Sequence, residues 1–310
     1  SDLHLTTGVP PRFRVDGRLL AATGAPLTEA CLADWLRRLD DDPAASDCAY
    51  AHTDGTRFRV NRFHQSRGSG AVFRLIPERI PSLHDLAVPG SVRRLAEARA
   101  GLVLVTGATG SGKSTTLAAM LDHRNREFHD HILTIEDPIE FLHASRSSLV
   151  NQRQVGRHTD SVATALRDAL RQDPDVILIG ELRDLESIRL ALVAAETGHL
   201  VLASLHTASA AGAIDRMVDV FPGGEQAAVR AMLSATLLGV IAQRLVPALA
   251  GGRLAVLEVL VSTPAVRHLV REGRSAQLQS VLQTGAAAGM QTLAQALHQH
   301  HRAGRIGADV

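Results

Sequence analysis

Residues 102–115 read Leu-Val-Leu-Val-Thr-Gly-Ala-Thr-Gly-Ser-Gly-Lys-Ser-Thr, a short apolar run followed by a glycine-rich loop. The loop fits the pattern Gly-x-x-x-x-Gly-Lys-Ser/Thr of phosphate-binding loops. Its glycines let backbone N–H groups approach phosphate oxygens, Lys113 reaches the β and γ phosphates, and the Ser114 hydroxyl suits Mg²⁺. Lys113 is also the only lysine in the chain. The candidate nucleotide-binding residues are therefore Gly107, Thr109, Gly110, Ser111, Gly112, Lys113, Ser114 and Thr115.

Three further apolar runs follow this loop, and each is short and without alternation, as is typical of strands buried on both faces of a parallel sheet. Helical patterns separate them, one starting after Ser161 and another ending at Gly198. This alternation predicts a three-layer α/β core. From about Ala227 onward the pattern predicts mostly helix, with a strand pair around Arg253–Val261. The three runs are residues 132–135, 176–179 and 200–203.

The 310 residues are enough for two domains. Residues 1–77 carry short alternating segments around one helical stretch near residues 28–39, which predicts a small α+β domain with an antiparallel sheet. Residues 77–90 hold three prolines and a glycine with few periodic apolar positions, which predicts a linker over residues 78–90. Residues 91–310 then form the phosphate-loop domain, with helices in its C-terminal region.

Composition narrows the function. The chain has 33 Lys and Arg against 32 Asp and Glu, and 3% aromatic residues, which argues against a nucleic-acid partner. The N-terminal residues lack a signal-peptide pattern and no apolar run has the length of a membrane span, so a cytoplasmic location is expected. Cys31 and Cys48 lack ligand spacing and are expected to be small buried side chains.

Charged side chains follow the other predicted strands. In a parallel sheet, ligands bind beyond the carboxyl ends of the strands. Glu136 and Glu140 come after the second run and Glu181 comes after the third, where carboxylates suit Mg²⁺ coordination and activation of an attacking water. Solvated turn residues are the alternative. His206 follows the fourth run, and a structural role and a role in sensing the γ-phosphate both stay open.

An arginine series in the first domain is a second candidate constellation. Alternation places Arg57 and Arg59 on one polar face of a strand. This face is either simply solvated or closes over the γ-phosphate, in the same chain or in a neighbour, as arginine fingers do. The C-terminal histidines 298, 300 and 301 fit a solvated helix end better than a metal site. The arginines are Arg57, Arg59, Arg62, Arg67 and Arg74.

In this order the motifs resemble the secretion ATPase superfamily, and within it the family of type IV pilus retraction ATPases. The resemblance runs through essentially the whole chain. Residues 135–141 resemble the family's Asp box, residues 173–184 its atypical Walker B segment, and residues 205–207 its His box. Other matching stretches are residues 1–5, 57–61, 68–74 and 289–293.

The resemblance implies a PAS-like N-terminal domain followed by a RecA-like P-loop ATPase domain, and Mg²⁺-dependent hydrolysis of ATP. It implies that Glu140 is the general base and that His206 belongs to a switch linked to the γ-phosphate. Glu181 would be the Walker B carboxylate near Mg²⁺, directly or through water, with Ser114 as the other metal ligand. The arginines implied to contact nucleotide are Arg59, Arg74 and Arg171.

The resemblance also implies partners. It implies a homohexameric motor that retracts the pilus for twitching motility, acts through an inner-membrane platform protein, and meets the membrane only through that partner. The four-cysteine module of secretion relatives is missing, so no zinc is expected. Residues 265–269 read Ala-Val-Arg-His-Leu where retraction ATPases have Ala-Ile-Arg-Asn-Leu, which keeps an accessory or assembly ATPase of a related machine open. A non-hydrolysing regulatory ring is the alternative from another class.

Overall fold

The computed structural model describes residues 2–15, 18–39, 47–76 and 79–308. The chain divides into two compact units. The first comprises Ser1–Arg79 with Glu140–Leu142, and the second comprises Ile80–Ile139 with His143–Val310.

The first unit is an antiparallel sheet with one helix, as the alternating segments predict. The strand order is β3-β2-β1-β6-β5-β4. Helix α1 (Glu29–Arg37) begins where the Thr28 side chain accepts the Cys31 N–H, and it buries Leu32 and Leu36. These two leucines join a core that includes Val60 and Phe73 of the sheet. The strands are β1 (Asp2–Thr6), β2 (Arg12–Val15), β3 (Arg18–Ala21), β4 (Asp47–Ala51), β5 (Arg57–Gln65) and β6 (Gly68–Ile76).

The second unit is built on a seven-stranded sheet. Its strand order is β13-β12-β7-β11-β10-β8-β9, and only the β12–β13 pair is antiparallel. The four apolar runs form β7, β8, β10 and β11 side by side, with hydrophobic clusters on both faces, which confirms the predicted parallel core. The strands are β7 (Gly101–Thr106), β8 (His131–Glu136), β9 (Leu149–Gln154), β10 (Val176–Ile179), β11 (Leu200–Leu205), β12 (Leu237–Pro247) and β13 (Arg253–Val261).

Helices cover both faces of this sheet, and side-chain caps fix where several of them begin. Ser161, Asp184 and Ser209 each accept a backbone N–H from the first turn of the helix that follows. In the part of the chain that the structure describes, no helix is long and apolar enough to cross a membrane. The helices are α2 (Gly90–Ala96), α3 (Lys113–Glu127), α4 (Val162–Ala169), α5 (Leu185–Glu196), α6 (Ala210–Asp219), α7 (Gly223–Thr236), α8 (Pro264–Arg271), α9 (Leu278–Thr284) and α10 (Leu293–Arg302), with 3₁₀ turns at Ser275–Gln277 and Gly285–Ala288.

Two expectations are wrong. The prediction of mostly helix beyond Ala227 is wrong at β12, which is a strand. It starts directly after helix α7 and pairs with β7. A buried apolar strand carries no periodicity that separates it from a buried helix, which is why the pattern misled. Cys31 is exposed on α1, whereas Cys48 is buried as expected.

Candidate nucleotide-binding site

The phosphate loop lies between the end of β7 and the start of α3, at the carboxyl edge of the sheet. Gly107, Gly110 and Gly112 have φ angles of 151°, 76° and 89°, a region that favours glycine. A Cβ at Gly107 would lie 2.4 Å from the carbonyl oxygen of Gln243, and one at Gly112 would lie 2.8 Å from the Gln243 side-chain nitrogen. Glycine is therefore needed at both ends of the loop.

The loop carries a buried ammonium group and buried or half-buried hydroxyl groups that could bind a phosphate. Lys113 is buried, and its Nζ donates to the carbonyl oxygens of Gly107 at 2.9 Å and Ala108 at 3.0 Å. The Ser111 hydroxyl is buried and has no hydrogen-bond partner among the described residues. Ser114 and Thr115 are half-buried in the first turn of α3. An orphaned hydroxyl inside a glycine cradle at a helix N-terminus fits an anionic phosphate ligand.

The strand ends beside the loop are tied together through Thr106. Its fully buried hydroxyl lies 3.2 Å from the Leu205 carbonyl oxygen and 2.8 Å from that of Thr207. It also accepts the Thr207 N–H at 2.8 Å. This network fixes the segment that carries His206 against the strand that leads into the loop.

Glu181 lies between two basic side chains. His206 Nε2 is 3.3 Å from Glu181 Oε1, and Arg183 Nη2 is 2.9 Å from Glu181 Oε2. Burial by itself raises the pKa of Glu181, but hydrogen bonds and charge from Arg183 and His206 outweigh it, so the pKa lies below its ordinary value. The structure thus brings together His206 and Glu181, two of the residues that the sequence singled out.

Arg183 extends this charge network to a third strand end. Its Nη1 lies 3.5 Å from Asp137 Oδ2, directly after β8. Nearby on β8, Glu136 Oε1 accepts hydrogen bonds from Thr134 at 2.7 Å and from Gln152 at 3.1 Å. Acidic side chains therefore follow both β8 and β10, as the sequence predicted.

Glu140 is exposed and belongs to the compact unit formed with residues 1–79. In that unit the arginines divide between the two faces of the sheet. Arg59 on β5 lies directly opposite Arg74 on β6 in the strand register. Arg74 Nε lies 3.3 Å from Asp2 Oδ1. Arg62 instead lies on the face covered by α1 and donates to the Leu36 carbonyl oxygen at 3.3 Å.

Arg171 and the C-terminal histidines lie elsewhere. Arg171 is exposed in the turn between α4 and β10, at the amino edge of the parallel strands and thus opposite the phosphate loop. Burial and the charge of Arg305 lower the pKa of His300 on α10. Among the described residues, no group of three or more His, Cys, Asp or Glu side chains is placed to hold a metal ion.

Sequence reasoning missed two buried polar residues of the β12–β13 hairpin. Gln243 donates from Nε2 to the Ser111 carbonyl oxygen at 2.8 Å. Glu258 accepts the Ala210 N–H at 2.9 Å, at the start of α6 and shortly after His206. In the sequence, each appears only as a polar residue inside an apolar run. That pattern does not indicate a functional role unless the strand is known to lie beside the phosphate loop.

The fold and the loop define a P-loop nucleotide-binding protein. A family model described as Type II/IV secretion system protein matches residues 48–251, and the chain belongs to this family of ATPases. It is 52% identical to the type IV pilus retraction ATPase PilT of Pseudomonas aeruginosa, over 94% of this chain and 88% of that protein.

Two further comparisons agree with this assignment. The chain is 51% identical to a twitching motility protein of Neisseria gonorrhoeae, over 91% of this chain and 76% of that protein. The crystal structure of the pilus retraction motor PilT with bound ADP matches with a TM-score of 0.90 and 42% identity, covering 100% of this chain and 91% of the other. The resemblance and the fold class predicted from the sequence are confirmed.

Proposed function

We propose that this chain is an ATP-hydrolysing motor that powers type IV pilus retraction. The observation that carries the proposal is 52% identity to a retraction ATPase along nearly the whole chain, together with an intact phosphate loop. Phosphoryl transfer is catalysed mainly by positioning and electrostatic stabilisation, which the loop amides and Lys113 supply.

We propose that hydrolysis depends on Mg²⁺. Hydroxyl and carboxylate oxygens are ligands that this ion prefers, and Ser114 and Glu181 offer one of each at the carboxyl edge of the sheet. When bound, the ion would neutralise charge on the phosphate oxygens. His206, 3.3 Å from Glu181, would then sense the state of the nucleotide through that carboxylate.

Glu140 is proposed as the general base that activates the attacking water. Arg59 and Arg74, opposite each other on neighbouring strands, are proposed to contact the nucleotide of the same or a neighbouring chain. For Arg171 the proposal is restricted to a neighbouring chain, because it lies at the edge of the sheet away from its own loop. Movement of the domains 1–77 and 91–310 about the linker 78–90 would transmit the work.

The Glu140 assignment is tested by Glu140→Gln. The variant should bind ATP with wild-type affinity and hydrolyse it at least about a hundredfold more slowly, as removal of a positioned base does. Glu136→Gln is the matched control, because Glu136 is already engaged by Thr134 and Gln152. Turnover near wild type in Glu140→Gln would remove Glu140 from the mechanism.

The proposed assembly is a homohexamer in the cytoplasm, docked on an inner-membrane pilus platform protein. Deletion of the gene should then leave excess, unretracted pili. Absence of pili after deletion would instead point to an assembly ATPase, and ATP binding without phosphate release would point to a regulatory ring.

One observation favours an accessory motor as the second candidate. His268 replaces the asparagine of the retraction motif, and it is exposed on α8, whereas Val266 and Leu269 are buried. The substitution therefore changes a surface available to a partner and leaves the packing of the helix intact. Restoration of retraction by His268→Asn in a strain with weak retraction would support the accessory role.

A further inference from the structure

Gln243 is a buried amide in an apolar strand. Only 6% of the residue is exposed, and its neighbours on β12, Ile241 and Ala242, are also buried. A leucine or methionine would fill this position without the cost of burying a polar group. The amide therefore has to be explained by what it contacts.

Both ends of the Gln243 amide contact the phosphate-loop segment. Nε2 donates to the Ser111 carbonyl oxygen at 2.8 Å, and Oε1 accepts from the Thr116 hydroxyl at 2.7 Å. Ser111 is in the loop and Thr116 is in the first turn of α3. One side chain thus joins the loop to the helix whose N-terminus faces the phosphates.

Gln243 also packs closely against a glycine at each end of the loop. A Cβ at Gly107 would lie 2.4 Å from the Gln243 carbonyl oxygen, and one at Gly112 would lie 2.8 Å from Nε2. Gln243 therefore leaves no room for a side chain at either glycine, and the loop packs directly against it. The Gly107 carbonyl oxygen also accepts a hydrogen bond from Lys113 Nζ, so the end of the loop that packs against Gln243 also holds the lysine.

We infer that Gln243 is a positioning residue for phosphate binding, which holds the Ser111 carbonyl and the first turn of α3 so that the loop amides and Lys113 face the nucleotide. The inference rests on the proposed nucleotide-driven function. It extends that function to strand β12, which lies outside the phosphate-loop motif, because Gln243 on this strand bonds both the loop and the first turn of α3.

The test measures the dissociation constant of Mg-ADP by calorimetry, and KM and kcat for ATP. Gln243→Met keeps the length of the side chain and removes both hydrogen bonds. Gln243→Glu keeps the acceptor for Thr116 but sets a carboxylate oxygen against the Ser111 carbonyl. Without these bonds the loop is free to leave its binding geometry, and nucleotide binding has to restore it. A cost of the size of one buried hydrogen bond weakens binding about tenfold, so both variants should raise the dissociation constant and KM by about that factor, with a smaller change in kcat.

Two controls separate positioning from general stability. Gln226→Leu removes a partly buried bond of the same chemical kind, from Gln226 Nε2 on α7 to the Phe221 carbonyl oxygen at 3.1 Å. It should leave nucleotide affinity unchanged. Thr116→Val keeps the Ser111 contact and should weaken binding less than Gln243→Glu does.

The outcomes are distinct. If folded Gln243→Met and Gln243→Glu bind Mg-ADP within twofold of the wild type, the positioning role is wrong while the proposed function stands. If Gln243→Met does not fold, Gln243→Glu and Thr116→Val decide the matter. Failure of the wild-type protein itself to bind or hydrolyse nucleotide would overturn the proposed function instead.

Discussion

Thr106→Val is the substitution whose cost follows most directly from the structure. The two side chains have nearly the same shape, so the change removes one buried hydroxyl and little packing. The Thr207 N–H loses its acceptor, and the carbonyl oxygens of Leu205 and Thr207 lose the one hydroxyl proton that lies within reach of both.

An unsatisfied buried group costs about 1–3 kcal/mol, and the loss of a paired hydrogen bond costs about 0.5–1.5 kcal/mol. Together they predict that the free energy of unfolding falls by about 1.5–4.5 kcal/mol. For a unit of this size, 3 kcal/mol lowers Tm by about 6–12 °C. The segment that carries His206 should also loosen, because Thr207 anchors it to β7.

Unfolding of the second unit is best followed by the circular dichroism of its helices. Tryptophan fluorescence would report on the first unit instead, because Trp35, the only tryptophan, lies there. Thr236→Val is the matched control. The Thr236 hydroxyl donates only to the Met232 carbonyl oxygen one helical turn earlier, so its loss should cost less than about 1 kcal/mol. If Thr106→Val lowers the free energy of unfolding no more than Thr236→Val does, the Thr106 hydrogen bonds do not hold the strand ends together.

Three further outcomes are expected. Gly112→Ala should weaken nucleotide binding far more than Gly110→Ala, measured by calorimetry, because only the first brings a Cβ within 2.8 Å of another side chain; equal effects would contradict the close approach. Arg59→Ala should lower ATP affinity or turnover with little change in Tm, whereas Arg62→Ala should lower Tm alone; an Arg59→Ala enzyme with unchanged kinetics would assign Arg59 to a merely solvated face. Because the pKa of Glu181 is lowered in the folded protein, the ionised carboxylate stabilises the fold at pH values above 4.5, the ordinary pKa. This contribution is lost as the pH falls through the lower folded-state pKa. Urea titrations of the wild type and Glu181→Gln should therefore converge below pH 4.5, and a constant difference there would show that the ion pair is not formed.

Much of the second unit could be predicted because its signals are local. The phosphate loop needs its glycines for backbone geometry, and four short unbroken apolar runs, each separated from the next by a helical or turn pattern, are typical of strands buried on both faces. The acidic residues and His206 follow those runs directly. Their meeting at one edge then follows from parallel pairing.

The rest depends on contacts between distant segments. Strand β12 looks like buried helix until its pairing with β7 is known, and Gln243 gains its role only through that pairing. Arg62 lies three residues after Arg59, an odd step that turns it to the opposite face of the strand, but its contact with the Leu36 carbonyl oxygen depends on where α1 packs. Arg183, which contacts both Glu181 and Asp137, joins strand ends that are far apart in sequence.

Phosphate release from the purified protein with Mg-ATP tests whether the chain is an ATP-hydrolysing ring motor. It is measured over a series of protein concentrations, with the oligomer mass recorded on the same samples. A ring motor completed by neighbouring subunits predicts that turnover per chain rises as hexamers form, and that it disappears without Mg²⁺. ATP binding with no phosphate release at any mass would rule out an ATP-hydrolysing motor and favour a regulatory ring.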